Sequence, residues 1–242
     1  MEITSCQIEK CCIYYLRCSD SMCYYNPMEI SFIAHTCFKI KGKEASLVID
    51  PYDSKETGYK LPKLTAEIAL HSHDYDFADR VEGADLNIST PGEYETKDIY
   101  IEGLSTYRDS NNGADRGPNT VYQILMDDFR ILHMGALGHE LKKETLEKIG
   151  EIDVLMIPVG GTHSIDAKLA TKVIASIEPG IVIPMSYKTK ETKGALEDLD
   201  KLKKFLDEMG VEKVTEVDKL KISNKSDIPE ETQVIVITPT NQ

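Results

Sequence analysis

A chain of 242 residues is long enough to bury a large core as a single domain. Its 41 acidic residues against 28 basic ones give a net charge of -13, which repels phosphate backbones and anionic bilayers, so neither nucleic acid nor a membrane is an expected partner. No apolar run reaches the roughly 20 residues that span a bilayer and no basic N-terminal segment leads into an apolar signal core, so a cytoplasmic location is expected.

Residues 1–27 hold Cys6, Cys11, Cys12, Cys18 and Cys23 together with Tyr14, Tyr15, Tyr24 and Tyr25. Their spacing contains no Cys-x-x-Cys knuckle of the kind that holds zinc. The segment reads as a Cys-rich appendage that an upstream translation start would add, leaving one domain over residues 28–242.

From Met28 the pattern is strand, turn, strand. Residues 30–40 are rich in β-formers, Lys41-Gly42-Lys43 supplies a turn, and residues 45–49 run apolar into Asp50-Pro51. Short β-rich runs bounded by Gly, Asn or Asp follow at 68–70, 99–103, 120–125 and 129–132. The second half alternates strands with helices. Residues 153–159 and 181–184 have the continuous apolar character of buried strands, and Asp166 can cap a helix that places Leu169, Ala170, Val173, Ile174 and Ile177 on one face. Leu196, Leu199, Leu202, Phe205, Leu206 and Met209 recur at three- and four-residue steps before Gly210, predicting a second amphipathic helix, and residues 234–237 offer a closing strand. Two facing sheets with helices outside would use all of these elements.

The stretch from Ala69 to Val81 reads ALHSHDYDFADRV. It resembles the signature loop of the metallo-β-lactamase superfamily, in which a buried strand ends in Ser-His-x-His-x-Asp-His. Further words agree in order: Ala34-His35-Thr36-Cys37-Phe38, Asp50-Pro51, Pro91-Gly92-Glu93-Tyr94-Glu95, Arg116-Gly117-Pro118-Asn119-Thr120, Gly135-Ala136-Leu137-Gly138-His139, Pro158-Val159-Gly160-Gly161 and Pro184-Met185-Ser186-Tyr187. Residues 28 to about 240 are thus similar to the small single-domain branch that includes ascorbate-phosphate lactonase-like hydrolases, whose members commonly begin at the position of Met28. The resemblance implies an α/β fold, the four-layer αββα metallo-β-lactamase sandwich, with a metal cleft where the two sheets meet and a metal-bound water for hydrolysis.

The ligand positions of that family can be followed through this chain. His73 is retained, whereas Tyr75, Phe77 and Ala78 replace the other signature ligands, and Arg108, Ala136 and Ser186 stand where the family has His, Asp and His. A permanent guanidinium would repel a dication by several kcal/mol, so Arg108 is expected to replace the metal's charge and to pair with Asp76 or Asp109. A register shifted to His71 would instead present His71, His73 and Asp76.

His35 and His139 could join His73 in an unconventional nitrogen cluster, or serve as hydrogen-bonded imidazoles that hold loops. His133 is expected to be structural, His163 to lie in a loop able to face the cleft, and Asp50 to close a strand end by accepting backbone hydrogen bonds. Ser72 and Ser186 lack the Gly-x-Ser-x-Gly elbow of a serine nucleophile. Two functions remain open. One is a protein with a lost metal centre, no cofactor, and a non-catalytic cleft for a small-molecule ligand or a structural role in an assembly such as a homo-oligomer. The other is an active hydrolase with zinc or another divalent metal held irregularly by His73, His139 and a carboxylate, Asp76 or Asp109.

Overall fold

The structure is a computed structural model that describes residues 26–73 and 78–240. The expectations for residues 1–25, and for Tyr75, Asp76 and Phe77, therefore lie outside the described residues.

Two sheets face one another. The first has six strands in the spatial order Leu220–Ile222, Met28–Ala34, Cys37–Lys41, Ser46–Ile49, Ile68–Leu70 and Leu86–Ile88. The second has eight, in the order Thr215–Val217, Gln233–Ile237, Ile181–Met185, Val154–Pro158, Phe129–His133, Pro118–Met126, Ile99–Tyr107 and Gly92–Thr96. Side chains alternate across the first sheet. Leu47, Ile49, Ile68 and Leu70 enter the core between the sheets, while Val48 and Ala69 point to the outer face, as the two-residue repeat of a strand requires. Val154–Pro158 and Ile181–Met185 are buried throughout because helices cover the face turned away from the first sheet. Each such fully buried aliphatic side chain contributes about 2 kcal/mol.

The helices are Lys143–Ile149, Ala167–Ile177 and Leu202–Glu208, and their buried residues Ile149, Val173, Ile174 and Phe205 join the main core. The outer face of the first sheet is covered differently. There Tyr52, Tyr59, Leu64 and Val81, beside the one-turn helix Ser54–Thr57, pack on Ile33, Cys37, Val48 and Ala69.

Asp166 caps its helix as the sequence predicts, accepting from the Leu169 amide at 2.9 Å. Two expectations need correction. The run 30–40 is not one strand, because His35 adopts a left-handed φ of 56° and turns the chain between Met28–Ala34 and Cys37–Lys41. The predicted helix over 196–209 forms only at Leu202–Glu208, with a separate 3-10 turn at Gly194–Leu196. Leu196 and Leu199 are buried, so their spacing reflects burial in a loop rather than a continuous helical face.

Strand direction positions the site. Ser46–Ile49, Ile68–Leu70 and Leu86–Ile88 run parallel, as do Phe129–His133, Val154–Pro158, Ile181–Met185 and Gln233–Ile237. Met28–Ala34 and Ile99–Tyr107 are each two antiparallel pairings away from a strand of these sets and so share its direction. Loops that leave the carboxyl ends of parallel strands commonly build ligand sites. No helix among the described residues is long and apolar enough to cross a membrane.

Candidate functional site

A cleft of about 400 Å³ opens at these carboxyl ends. His35 follows Met28–Ala34, Asp50 follows Ser46–Ile49, and His71 and His73 follow Ile68–Leu70; from the second sheet, Arg108 follows Ile99–Tyr107, His163 lies beyond Val154–Pro158, and Ser186 follows Ile181–Met185. Lys55, Gly194 and Leu196 also line it.

A hydrogen-bonded chain runs into the cleft. The Asp50 carboxylate accepts the Ser72 amide at 2.7 Å and the Ser72 hydroxyl at 2.6 Å, and Ser72 Oγ lies 2.7 Å from His73 Nδ1. Burial pushes the Asp50 carboxyl up, but the imidazoles of His73 and His133 and the Ser72 bonds outweigh it and hold the group below its ordinary range. Asp50 is therefore an acceptor. Ser72 spends its proton on it, and Ser72 Oγ in turn accepts from His73 Nδ1.

The walls are stitched together across the two sheets. The Ser186 amide donates to His35 O at 2.8 Å, Tyr122 Oη donates to His71 O at 2.9 Å, and the Thr120 amide donates to Ser72 O at 2.6 Å. Three non-glycine residues of the lining hold left-handed backbone, His35 at φ 56°, Asp50 at 49° and Ser186 at 54°. Each such residue costs on the order of 1 kcal/mol, and strain of this kind persists only where the surrounding structure fixes it. Gly135 also has positive φ, and a Cβ there would meet Ser72 Cβ at 2.5 Å, so the loop can approach Ser72 this closely only with glycine.

His35 keeps partial solvent access, yet the atoms packed around it pull its pKa down to about 4. Desolvation is the main cause; His73, His163 and Arg108 add to it, and Asp50 opposes it. The His35 imidazole is neutral near pH 7.

The sequence candidates thus divide. His35, His73, Arg108, His163 and Ser186 line the cleft together, and so does His71, which lies beyond the strand end at Leu70 rather than within the strand. His139 and Asp109 require correction. The His139 Nε2 lone pair accepts the Tyr107 amide at 3.1 Å and its Nδ1–H donates to Glu140 O at 2.8 Å, so both nitrogens serve the loop. Asp109 accepts from the amides of Asn111, Gly113, Asp115 and Arg116, which closes its own loop instead of pairing with Arg108. His133 is structural as expected, donating from Nε2 to Thr36 O at 2.9 Å and accepting the Gly135 amide at Nδ1.

Three participants were not assigned roles from sequence. Ser72 links Asp50 to His73, Lys55 lines the cleft, and Asn119 holds the loop that carries Ala136. The Asp-Pro and Arg-Gly-Pro-Asn-Thr words were signals for Asp50 and Asn119, but Lys55 belongs to none of the matching words.

At three positions where the resemblance implies metal ligands, the described residues have other chemistry. Arg108 offers only donors, Ala136 a methyl group and Ser186 a neutral hydroxyl. Among the described residues no three His, Cys, Asp or Glu side chains are grouped to hold an ion.

The sequence family described as beta-lactamase superfamily domain matches residues 29–186. A protein of Thermoplasma acidophilum named a UPF0173 metal-dependent hydrolase is 26% identical over 190 residues, covering 67% of this chain and 84% of the relative. A UPF0173 protein of Pyrococcus abyssi is 25% identical over 182 residues, with the same coverage of 67% and 84%. Among solved structures, one from Thermotoga maritima, named to the metallo-β-lactamase superfamily, is 31% identical with a TM-score of 0.73 and covers 87% of this chain and 98% of its own. A metallo hydrolase from Ignicoccus hospitalis shares the fold at a TM-score of 0.58 and 16% identity, covering 89% and 96% of the two chains. The match over residues 29–186 and the shared two-sheet architecture make this chain a member of the metallo-β-lactamase superfamily.

Proposed function

We propose that this chain uses the superfamily's cleft to hold a small-molecule ligand without the family's metal centre, with Arg108 supplying positive charge in place of an ion. The observation that supports this most directly is the substitution pattern within a preserved scaffold. Left-handed His35, Asp50 and Ser186, the Asp50–Ser72–His73 chain and the cross-sheet bonds keep the cleft built, while Arg108, Ala136 and Ser186 occupy ligand positions without ligand chemistry. A cleft of this volume falls in the range used for small-molecule sites.

A second reading is favoured by the relatives, several of which are named metal-dependent hydrolases, and by the imidazoles of His35, His73 and His163 at the cleft. In that reading an irregular site holds one divalent ion and the chain hydrolyses its ligand. Metal analysis of protein purified without chelator, with zinc titration by calorimetry, separates the two. The first reading expects far less than one ion per chain and no tight zinc binding. Stoichiometric metal that is lost in His73→Ala would establish the second and end the first.

A further inference from the structure

We propose that a second copy of this chain docks on the outer face of the eight-stranded sheet, across Gly92–Thr96, Ile99–Tyr107, Pro118–Met126 and Phe129–His133, with Arg130 of each copy set against Glu95 of the other. The registers of these strands put Glu95, Tyr100, Leu125 and Arg130 opposite one another in a single row. Residues opposite one another across a ladder share a face. This face points away from the core, because the adjacent row, Tyr94, Ile101, Ile124 and Ile131, packs between the sheets. Glu95 and Arg130 are exposed, Tyr100 is half-buried, and Leu125, at 38%, is the exposed large apolar side chain among the described residues.

The row is complementary to its own reverse. A two-fold axis lying in the interface, parallel to the strands and between Ile99–Tyr107 and Pro118–Met126, brings Arg130 over Glu95 and Leu125 over Tyr100, each contact occurring twice. In the next row on the same face, Glu93, Glu102 and Gln123 are opposite one another, and this axis sets Glu102 against the Gln123 amide rather than against another carboxylate. An in-plane axis perpendicular to the strands would stack Glu95 on Glu95 and Arg130 on Arg130, so the charge pattern selects the first orientation. The acidic half of the face also gains from a guanidinium. Glu93 and Glu102 face one another directly, an unfavourable pairing of like charges, and partial desolvation followed by the charges of these carboxylates pushes the Tyr100 phenol up. Four strands about 4.8 Å apart make the row about 14 Å across, so the patch falls short of the roughly 800 Å² per partner of a stable interface and micromolar association is expected. Tyr100 lies near the start of Ile99–Tyr107 and Arg108 beyond its end, so the docked copy leaves the cleft open.

Sedimentation velocity of the full chain, under reducing conditions so that no disulfide links two copies, tests the proposal. The buffer holds about 0.15 M NaCl, where a screening length of about 8 Å weakens the repulsion between two acidic chains more than it weakens pairs in contact. The unaltered chain is expected to pass from monomer to dimer between roughly 5 and 500 µM. Glu95→Arg and Arg130→Glu should each weaken the dimer at least about tenfold, and the double variant carrying both should return to within about threefold of the parent, as a coupled pair requires. Glu95→Arg makes the chain less acidic overall, so non-specific repulsion alone would strengthen association where the proposal expects it to weaken. Leu125→Asp should abolish the dimer; if that variant does not fold, the charge reversals at two exposed positions still decide. A parent chain that stays monomeric at about 500 µM, a dimer indifferent to Leu125→Asp, or a double variant no better than the single ones overturns the proposal.

Discussion

Replacing His35 with Asn isolates one ionisable group at the cleft without disturbing its backbone. Asn tolerates the left-handed φ of 56° that His35 adopts, and the carbonyl that accepts the Ser186 amide is retained. The folded imidazole has its pKa lowered from 6.5 to about 4, so between those values the unfolded chain binds more protons than the folded one. Stability contributed by neutral His35 is therefore present above about pH 6.5 and lost as pH falls towards 4. The full gap corresponds to about 3 kcal/mol; between pH 7 and 4.5, with a discount for partial solvent access at the cleft, about 2 kcal/mol should be lost. Urea unfolding at the two pH values gives the measurement, and a loss of that size shifts the midpoint by about 1 M. His133, whose pKa burial also lowers, and the carboxylates contribute equally to both proteins, so the informative quantity is the difference between the two pH dependences. Matching pH dependences for the parent chain and His35→Asn would refute the assignment of His35 as a neutral, desolvated group.

Asn119→Ala should cost about 3 kcal/mol, because it removes the donors to Thr106 Oγ1 and Met134 O and the acceptor of the Ala136 amide at a fully buried position; thermal melting should show a fall of roughly 6 to 12 °C. Gly138→Ala should be more damaging than Gly210→Ala. At Gly138 a Cβ would sit 2.1 Å from the backbone carbon and oxygen of Arg108, so the chain carrying the cleft cation must move. At Gly210 nothing lies within 4 Å, and the expected cost is only the left-handed backbone's, about 1 kcal/mol. Comparable unfolding midpoints for the two glycine variants would contradict the steric account.

The apolar runs of residues 45–49 and 68–70 and the helical spacing behind Asp166 are local patterns, and they placed these two strands and one helix correctly. The failures were also local. Nothing in the spacing of Leu196 and Leu199 distinguishes a buried loop from a helix face, and the β-rich run around His35 conceals a turn that is stabilised by a bond to Ser186, more than a hundred residues away in the chain. The individual ligand substitutions at Arg108, Ala136 and Ser186 were legible because each is a matter of side-chain identity alone.

What those side chains do depends on distances between segments far apart in sequence. His139 and Asp109 carry suitable chemistry, yet their lone pairs are taken by backbone amides, a fact that composition and spacing do not contain. Ser72 and Asp50 are 22 positions apart and become one hydrogen-bonded unit only when Ser46–Ile49 and Ile68–Leu70 lie parallel with their ends in register. Lys55 and Arg108 likewise come to line one recess through the meeting of the two sheets. Periodicity reports which face of an element is buried and the matching words carry the superfamily, so the positions of many strands and the superfamily were available from the chain itself, whereas the order of strands in each sheet was not. The cleft is a property of where strand ends converge, and only folding brings those ends within hydrogen-bonding range.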